Sequence, residues 1–461
     1  MKLTRREALA GGVAAALGAT GVYELVDRLG GSSAAPRRAT VSELPVERHV
    51  LDGLAVLKEN DVEVVVPPLH HQLVTAKVRP GDLQSAKREL EGALRTLERR
   101  YAPTPSGLGI TVAWGLPYFQ SHVAAAWAEH APRDRRARSL ALIDARRFPS
   151  DPRDTILEQN DAAVLLRSDS SNHLADAAKM LFDDLRVFEV TSVRKGFVGG
   201  GFEGRQSLPK KVALAAGVPG AELIPDTSQL FLGFTSTQKA GLGPRRIANF
   251  ETLGYVDLGP SDYFRHGTAM HVSHIFEDLE AWYLNFDFAE RVLTAFRPGL
   301  RVPLNTQTVR QGPHDVSSDA RVKRQFRDTG RIGHSASIQT TSRLLRDHIA
   351  ADGTVYPKGT AIPIRADFNT LDNPFAYSAH PVRDGMQAAP AAGVHFIVFN
   401  PTSDDFHRNR LAMDGVLPDG TRLPLPARAR GQGFNAVLRT THRQNFLVPP
   451  REHRSFPLAE L

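Results

Sequence analysis

The 461-residue chain has no cysteine, so any chemistry it performs falls to histidine, carboxylate, tyrosine and arginine side chains. Disulfides, thiolate zinc sites, iron–sulfur clusters and thiolate-bound or covalently attached haem are thereby excluded, and a bound metal must rest on His, carboxylate or Tyr. Three places put such residues in a suggestive order. His334 stands in the small-residue stretch Gly333-His334-Ser335-Ala336-Ser337, where a neutral imidazole could serve as a ligand or simply sit in a surface loop. Arg365 and Asp367 are two apart, on one side of a strand, and form either a fixed cation with its orienting carboxylate or an ordinary strand-end ion pair. Glu203, in Gly201-Phe202-Glu203-Gly204-Arg205, is a carboxyl that burial could tune for proton transfer or that Arg205 could neutralise in a structural clamp. His271 and His274, three apart on an expected strand, point to opposite faces and are not expected to share a metal.

Two further features bound the setting. Arg5-Arg6 precedes an Ala/Gly/Val-rich run reaching about Tyr23, too short and too weakly apolar for a spanning helix, and reads as a twin-arginine export signal. That route carries folded chains, often folded around a cofactor. We expect a signal over residues 1–35, a polar linker over 36–60, and folded modules over 61–208 and 209–461, in a protein that is periplasmic, cell-surface or extracellular. The net charge of +7 comes from basic residues spread along the chain, with no nucleic-acid motif, and reads as a solvated basic surface.

The elements that must position the chemical groups follow from periodicity. Leu73 to Val78 alternates as a half-buried strand, and Leu83, Ala86, Leu90, Ala93, Leu94 and Leu97 recur at helical spacing behind an Asp82 cap. Strands follow at Ile110 to Trp114 and Ala162 to Leu166, then a helix at Asn172 to Leu185 and a strand at Val187 to Val193. Strand, helix, strand, strand, helix, strand is the ferredoxin-like split βαβ order. The second half repeats it: strand Gly267 to Phe276, helix Phe288 to Phe296, strands Thr360 to Arg365 and Gly393 to Phe399, helix Asp404 to Met413, and a short strand Phe446 to Val448. The expected fold class is therefore α+β, two ferredoxin-like modules with antiparallel sheets in a barrel-like arrangement within one chain. The Gly/Pro-rich stretch Pro209 to Pro260 is left unassigned.

Several segments together resemble the dye-decolourising (DyP-type) haem peroxidases. They are Gly267-Thr268-Ala269-Met270 through Leu279-Glu280-Ala281-Trp282, Gly333 to Ser337, Ile364-Arg365-Ala366-Asp367, Pro374-Phe375, Gly393 to Phe399, and Phe446-Leu447-Val448-Pro449-Pro450. The resemblance implies one haem b per chain, with His334 as the iron ligand among small residues that let a flat macrocycle approach. Arg365 would be the distal arginine, binding peroxide and a haem propionate; Asp367 would orient it, and Phe375 would wall the pocket. It further implies an acid from Asp404 or Asp405 behind the proximal imidazole, and Trp282 or Tyr283 as an electron relay. The family's Gly-x-x-Asp-Gly motif is broken here, because Gly204 occupies the aspartate position; Glu203, one residue away, is the candidate proton shuttle. The implied activity is peroxide-dependent oxidation of organic reductants. The altered motif also admits a haem-binding or iron-handling protein without turnover, and a cofactor-free binding module is the third reading. Expected partners are hydrogen peroxide, an organic reductant and the twin-arginine translocation machinery, with no nucleic acid; homo-oligomerisation is left open.

Overall fold

The computed structural model describes residues 21–30, 51, 53–59, 62–134, 138–201, 206–234, 263–302, 316–349, 355–371 and 390–461. The twin-arginine segment, Glu203 and Phe375 lie outside these residues.

Helix α1 (Gly21–Gly30) comes first, then a hairpin of β1 (Ala55–Glu59) and β2 (Val62–Val66). The first module is β3 (His70–Val78), α2 (Leu83–Arg100), β4 (Gly109–Gly115), short helices α3 (Leu116–Ser121) and α4 (Ala124–His130), β5 (Ile156–Leu157), β6 (Ala162–Ser168), α5 (Ser171–Ala178) and β7 (Phe188–Phe197). Asp82 caps α2 by accepting from the amides of Gln84 and Ser85, and Leu90, Leu94 and Leu97 form its buried stripe. The expected helix ending near Leu185 is α5 continued by a π-helical turn, Lys179–Asp184. Helix α6 (Leu208–Ala216) leads toward the second half.

The second module is β8 (Thr268–Glu277), α7 (Leu279–Asn285), α8 (Phe288–Ala295), α9 (Asp319–Thr329), α10 (His334–Ser342), a hairpin of β9 (His348–Ile349) and β10 (Val355–Tyr356), β11 (Ile364–Arg365), β12 (Phe368–Thr370), β13 (Gly393–Asn400), α11 (Ser403–Met413) and β14 (Leu438–Val448). The strand expected over Thr360 to Arg365 is confined to Ile364–Arg365 and resumes as β12. The expected short strand Phe446 to Val448 is the end of the 11-residue β14.

Within the first module the strands run β4-β6-β3-β7; within the second, β12-β13-β8-β14. This is the same ferredoxin-like order twice. Asn369 of β12 pairs with Phe197 of β7, and Phe446 and Leu447 of β14 pair antiparallel with Gly115 and Trp114 of β4. The two sheets thus close into one barrel with no free edge at either seam, the α+β barrel-like arrangement the element order implies. Leu73, Ala163, Met270, Val272, Phe368, Ile397 and Phe446 fill its interior.

Helix α1 falls inside the 1–35 segment read as a signal, and it packs on the body. Val22 and Val26 are fully buried, the Tyr23 hydroxyl donates to the His71 carbonyl, and Asp27 meets the His70 ring nitrogen at 2.7 Å. Among the described residues no helix is long and apolar enough to cross a membrane.

Candidate functional site

The second module's sheet has one face toward the barrel interior and the other toward helices α10 and α11. Between sheet and helices lies a cavity of about 280 Å³, at the small end of the range for ligand pockets. Strand alternation decides which side chains reach it: Ser273, Ile275 and Glu277 from β8; Val394, Phe396 and Val398 from β13; Arg365, Asp367 and Asn369 from β11, β12 and the residues between them. The intervening residues turn inward, so that His274 and His395 meet in the barrel with ring centroids 4.9 Å apart and planes tilted by 51°. His271, by contrast, bonds to Ser273 and Asn445, and its ring stacks on Phe406. The two histidines do point apart, and among the described residues no cluster of metal-ligating side chains forms.

His334 begins α10 and lines the cavity. Gly333 is its N-cap, and a Cβ there would lie 2.4 Å from both the Phe296 carbonyl oxygen and the Arg297 Cα, so only glycine lets the helix start against that backbone. Gly433, at φ +56°, presses on the backbone of His334, and the Phe434 ring lies 4.5 Å from the imidazole. Burial pushes the His334 pKa down to about 3, and the Arg365 and Arg410 guanidiniums push the same way. The ring is therefore neutral at physiological pH, and its buried Nδ1 has no hydrogen-bond partner among the described residues.

This last point corrects the expectation that Asp404 or Asp405 orients the proximal imidazole. Asp405 forms a capping box with Thr402 and bonds Arg408, while Asp404 pairs with Arg408 at 3.2 Å. Both sit in the first turn of α11, where the helix dipole favours acids. The residues of α11 that reach the cavity come later, Phe406, Asn409, Arg410 and Met413. Trp282 and Tyr283 are anchored in the core through bonds to the Leu232 and Phe231 carbonyls.

Arg365 and Asp367 meet at 3.8 Å, both partly exposed to the cavity. Burial, with Arg365 as a second cause, lowers the neighbouring Arg343 to about 10. Deeper in, Arg410 and Arg443 share the buried carboxylate of Asp151 at 3.2 and 2.9 Å, and Arg410 also meets Asp414 at 3.0 Å. The cavity thus brings together His334, Arg365 and Asp367 as the sequence suggested. It also holds groups the sequence reading passed over: Glu277, Asn369, Arg410 and Arg443. Alternation behind Ser273 and Ile275 could have placed Glu277 on their face; nothing in the sequence alone brings Asp151 to the two arginines.

Three solved structures have similar folds. The encapsulated DyP-type peroxidase from Mycobacterium smegmatis is 14% identical, with 84% of this chain and 95% of that chain covered and a TM-score of 0.46. A DypB variant of Rhodococcus jostii in complex with heme is 12% identical, with 84% and 95% covered and a TM-score of 0.49. A dye-decolorizing protein from V. cholerae is 15% identical, with 87% and 99% covered and a TM-score of 0.46. No curated protein matches the chain. A family model matches residues 68–450, most of the chain, and by that match this protein belongs to the family of unknown function DUF7405.

Proposed function

We propose that the cavity binds one haem b through His334 and that the protein uses hydrogen peroxide to oxidise organic reductants. The observation that carries this reading is the convergence, in one cavity, of a neutral imidazole whose Nδ1 lacks a partner among the described residues and the pair of Arg365 on β11 with Asp367 just after it. The lining fits the group. Ile275, Phe296, Ile338, Phe396 and Phe434 offer apolar walls to a macrocycle, and Arg343 and Arg365 offer cations to its carboxylates. A bound haem would supply the electrons for reducing peroxide.

The chain's own residues would do the rest. Burial keeps the His334 imidazole unprotonated and so able to ligate. Arg365 cannot lose its charge, so it can hold a peroxide oxygen and stabilise the negative charge that grows as the O–O bond lengthens. Asp367, two residues on and 3.8 Å away, would hold the guanidinium in place.

Peroxide titration of the haem-loaded protein tests the activity. The expected result is a spectral change at stoichiometric peroxide and oxidation of a dye at acidic pH. A holoprotein that gives neither is a haem carrier, and the enzymatic reading is then wrong. We also propose that the chain is exported folded by the twin-arginine route. Replacing Arg5 and Arg6 by lysine should retain it in the cytoplasm, and unchanged export would refute that route.

A further inference from the structure

An export signal needs a basic start, an apolar run of about 7–15 residues and small residues at the cut. Helix α1 lies inside the stretch read as that signal, yet it is built as a core helix. Val22 and Val26 are fully buried and Tyr23 nearly so, while Leu25 and Leu29 pack half-buried against the same core. Positions 22, 25, 26 and 29 form one face at helical spacing, and Glu24 and Arg28 pair with each other on the opposite side. Nothing in the work of a signal requires such a face.

The face meets a matching surface, and the contacts around it are specific. The Tyr23 hydroxyl donates to the His71 carbonyl, its ring meets the His70 ring edge-on with centroids 5.0 Å apart, and Lys195 Nζ lies 5.6 Å over it. Asp27 takes the His70 ring nitrogen at 2.7 Å and the Ser171 hydroxyl at 3.1 Å, and Lys211 reaches the Leu29 carbonyl at 3.4 Å. Helix α1 is therefore tied to β3, β7, α5 and α6. Its apolar residues share one core with Leu90 and Leu94 of α2, Leu174 of α5 and Val212 of α6. A split βαβ sheet must have its outer face covered by helices, and α1 is a member of that covering layer.

We propose that α1 stays with the protein after export: the removable part of the signal ends ahead of Gly21, and the exported body keeps α1 in its helix layer. For the export itself the inference rests on the twin-arginine reading above; for the retention of α1 it rests on packing alone. The sequence supplies what such a signal needs. Ala8 to Ala16 is an apolar run of nine residues, and Ala14-Ala15-Ala16 puts small residues at both positions of an A-x-A cut. The small residues from Ser32 to Ala35 lie on the other side of α1. A cut there would strip α1 from a body already folded around it, leaving the buried His70 without Asp27 and baring apolar surface of the first module.

Two measurements on the full chain test this. The first is hydrogen exchange of the purified protein. A helix as short as α1 is marginal alone in water, so slow exchange of its amides reports docking. The amides of Leu25 to Gly30 should exchange at least about 10²-fold more slowly than in a free peptide of the same sequence. Exchange at the peptide rate overturns the proposal. The second is the intact mass and N-terminal sequence of the chain recovered outside the cytoplasm of an exporting host. We expect a first residue at or before Gly21, and a first residue at or beyond Gly31 overturns the proposal. Export that persists when Arg5 and Arg6 are lysine refutes the twin-arginine route and leaves both readouts of α1 in force. A chain that is never exported refutes the export reading, and hydrogen exchange then decides whether α1 belongs to the body.

Discussion

A carboxyl kept protonated inside a protein makes stability depend on pH in a definite direction. Glu277 titrates at about 8 when folded against an ordinary value of 4.5. The folded state then holds the proton more tightly than the unfolded chain between those values. Its contribution is complete below about pH 4.5 and is lost as pH rises to about 8, at up to about 1.4 kcal/mol per pH unit. Glu277→Gln imitates the protonated acid and carries no such dependence. Urea denaturation should therefore show the variant gaining on the parent from pH 5 to pH 8, with the gap constant above; a constant gap throughout would mean Glu277 is ionised. At the other wall, Gly433→Ala puts a Cβ within 3.1–3.2 Å of the His334 backbone at a positive φ, so we expect a loss of about 1–3 kcal/mol by thermal melting and a disturbed ligand site. The two-residue spacing of Arg365 and Asp367 was enough to place them together. The surroundings of His334 were not legible, because they come from α11 and the 433–434 turn, distant in sequence and set by packing.

Helices and strands with one apolar face announced themselves, which is why β3, α2, β4, β6, β7, β8, β13 and α11 are found close to where periodicity put them. Elements buried on both faces by polar contacts did not. Strand β14 carries Thr440 through Asn445 through the buried middle of the sheet, with His442, Arg443, Gln444 and Asn445 all nearly inaccessible, so its polarity hides its length. The start of α10 is likewise a run of small polar residues without an apolar stripe. Helix α1 is the element with the clearest mechanical prediction. Val22, Tyr23 and Val26 are buried against the body, and Asp27 answers His70. Val26→Asp would leave an unpaired charge at a fully buried position, at a cost of about 3–5 kcal/mol, visible as a large drop in melting temperature. A protein that melts unchanged would show that the helix is detachable from the body.

At the scale of the whole molecule, closing two sheets into a barrel forces polar residues of strand middles into the interior, and histidines are prominent among them. Burial lowers His71, inside the barrel, and His407, on α11 behind the sheet, to about 3, with Arg167 adding to the first and Arg146 to the second. Each contributes stability that is present above 6.5 and is lost as pH falls toward 3, at up to about 1.4 kcal/mol per pH unit per group. Stability should therefore decline from pH 6.5 to 4.5, as read by urea midpoints, and a flat profile over that range would contradict the buried neutral histidines. The doubled module was legible because each half repeats the same element order; the seams were not, since Asn369–Phe197 and the β14–β4 pairing join residues far apart in sequence. That closure is also what leaves the outer face of the second sheet to α10 and α11, with the cavity between them. Haem titration of the purified chain, followed at the Soret band and repeated with His334→Ala, reads the central claim directly. We predict saturation at one haem per chain in the parent and loss of the band, or its shift to that of unligated haem, in the variant. An unchanged band without His334, or none in the parent, would contradict the account.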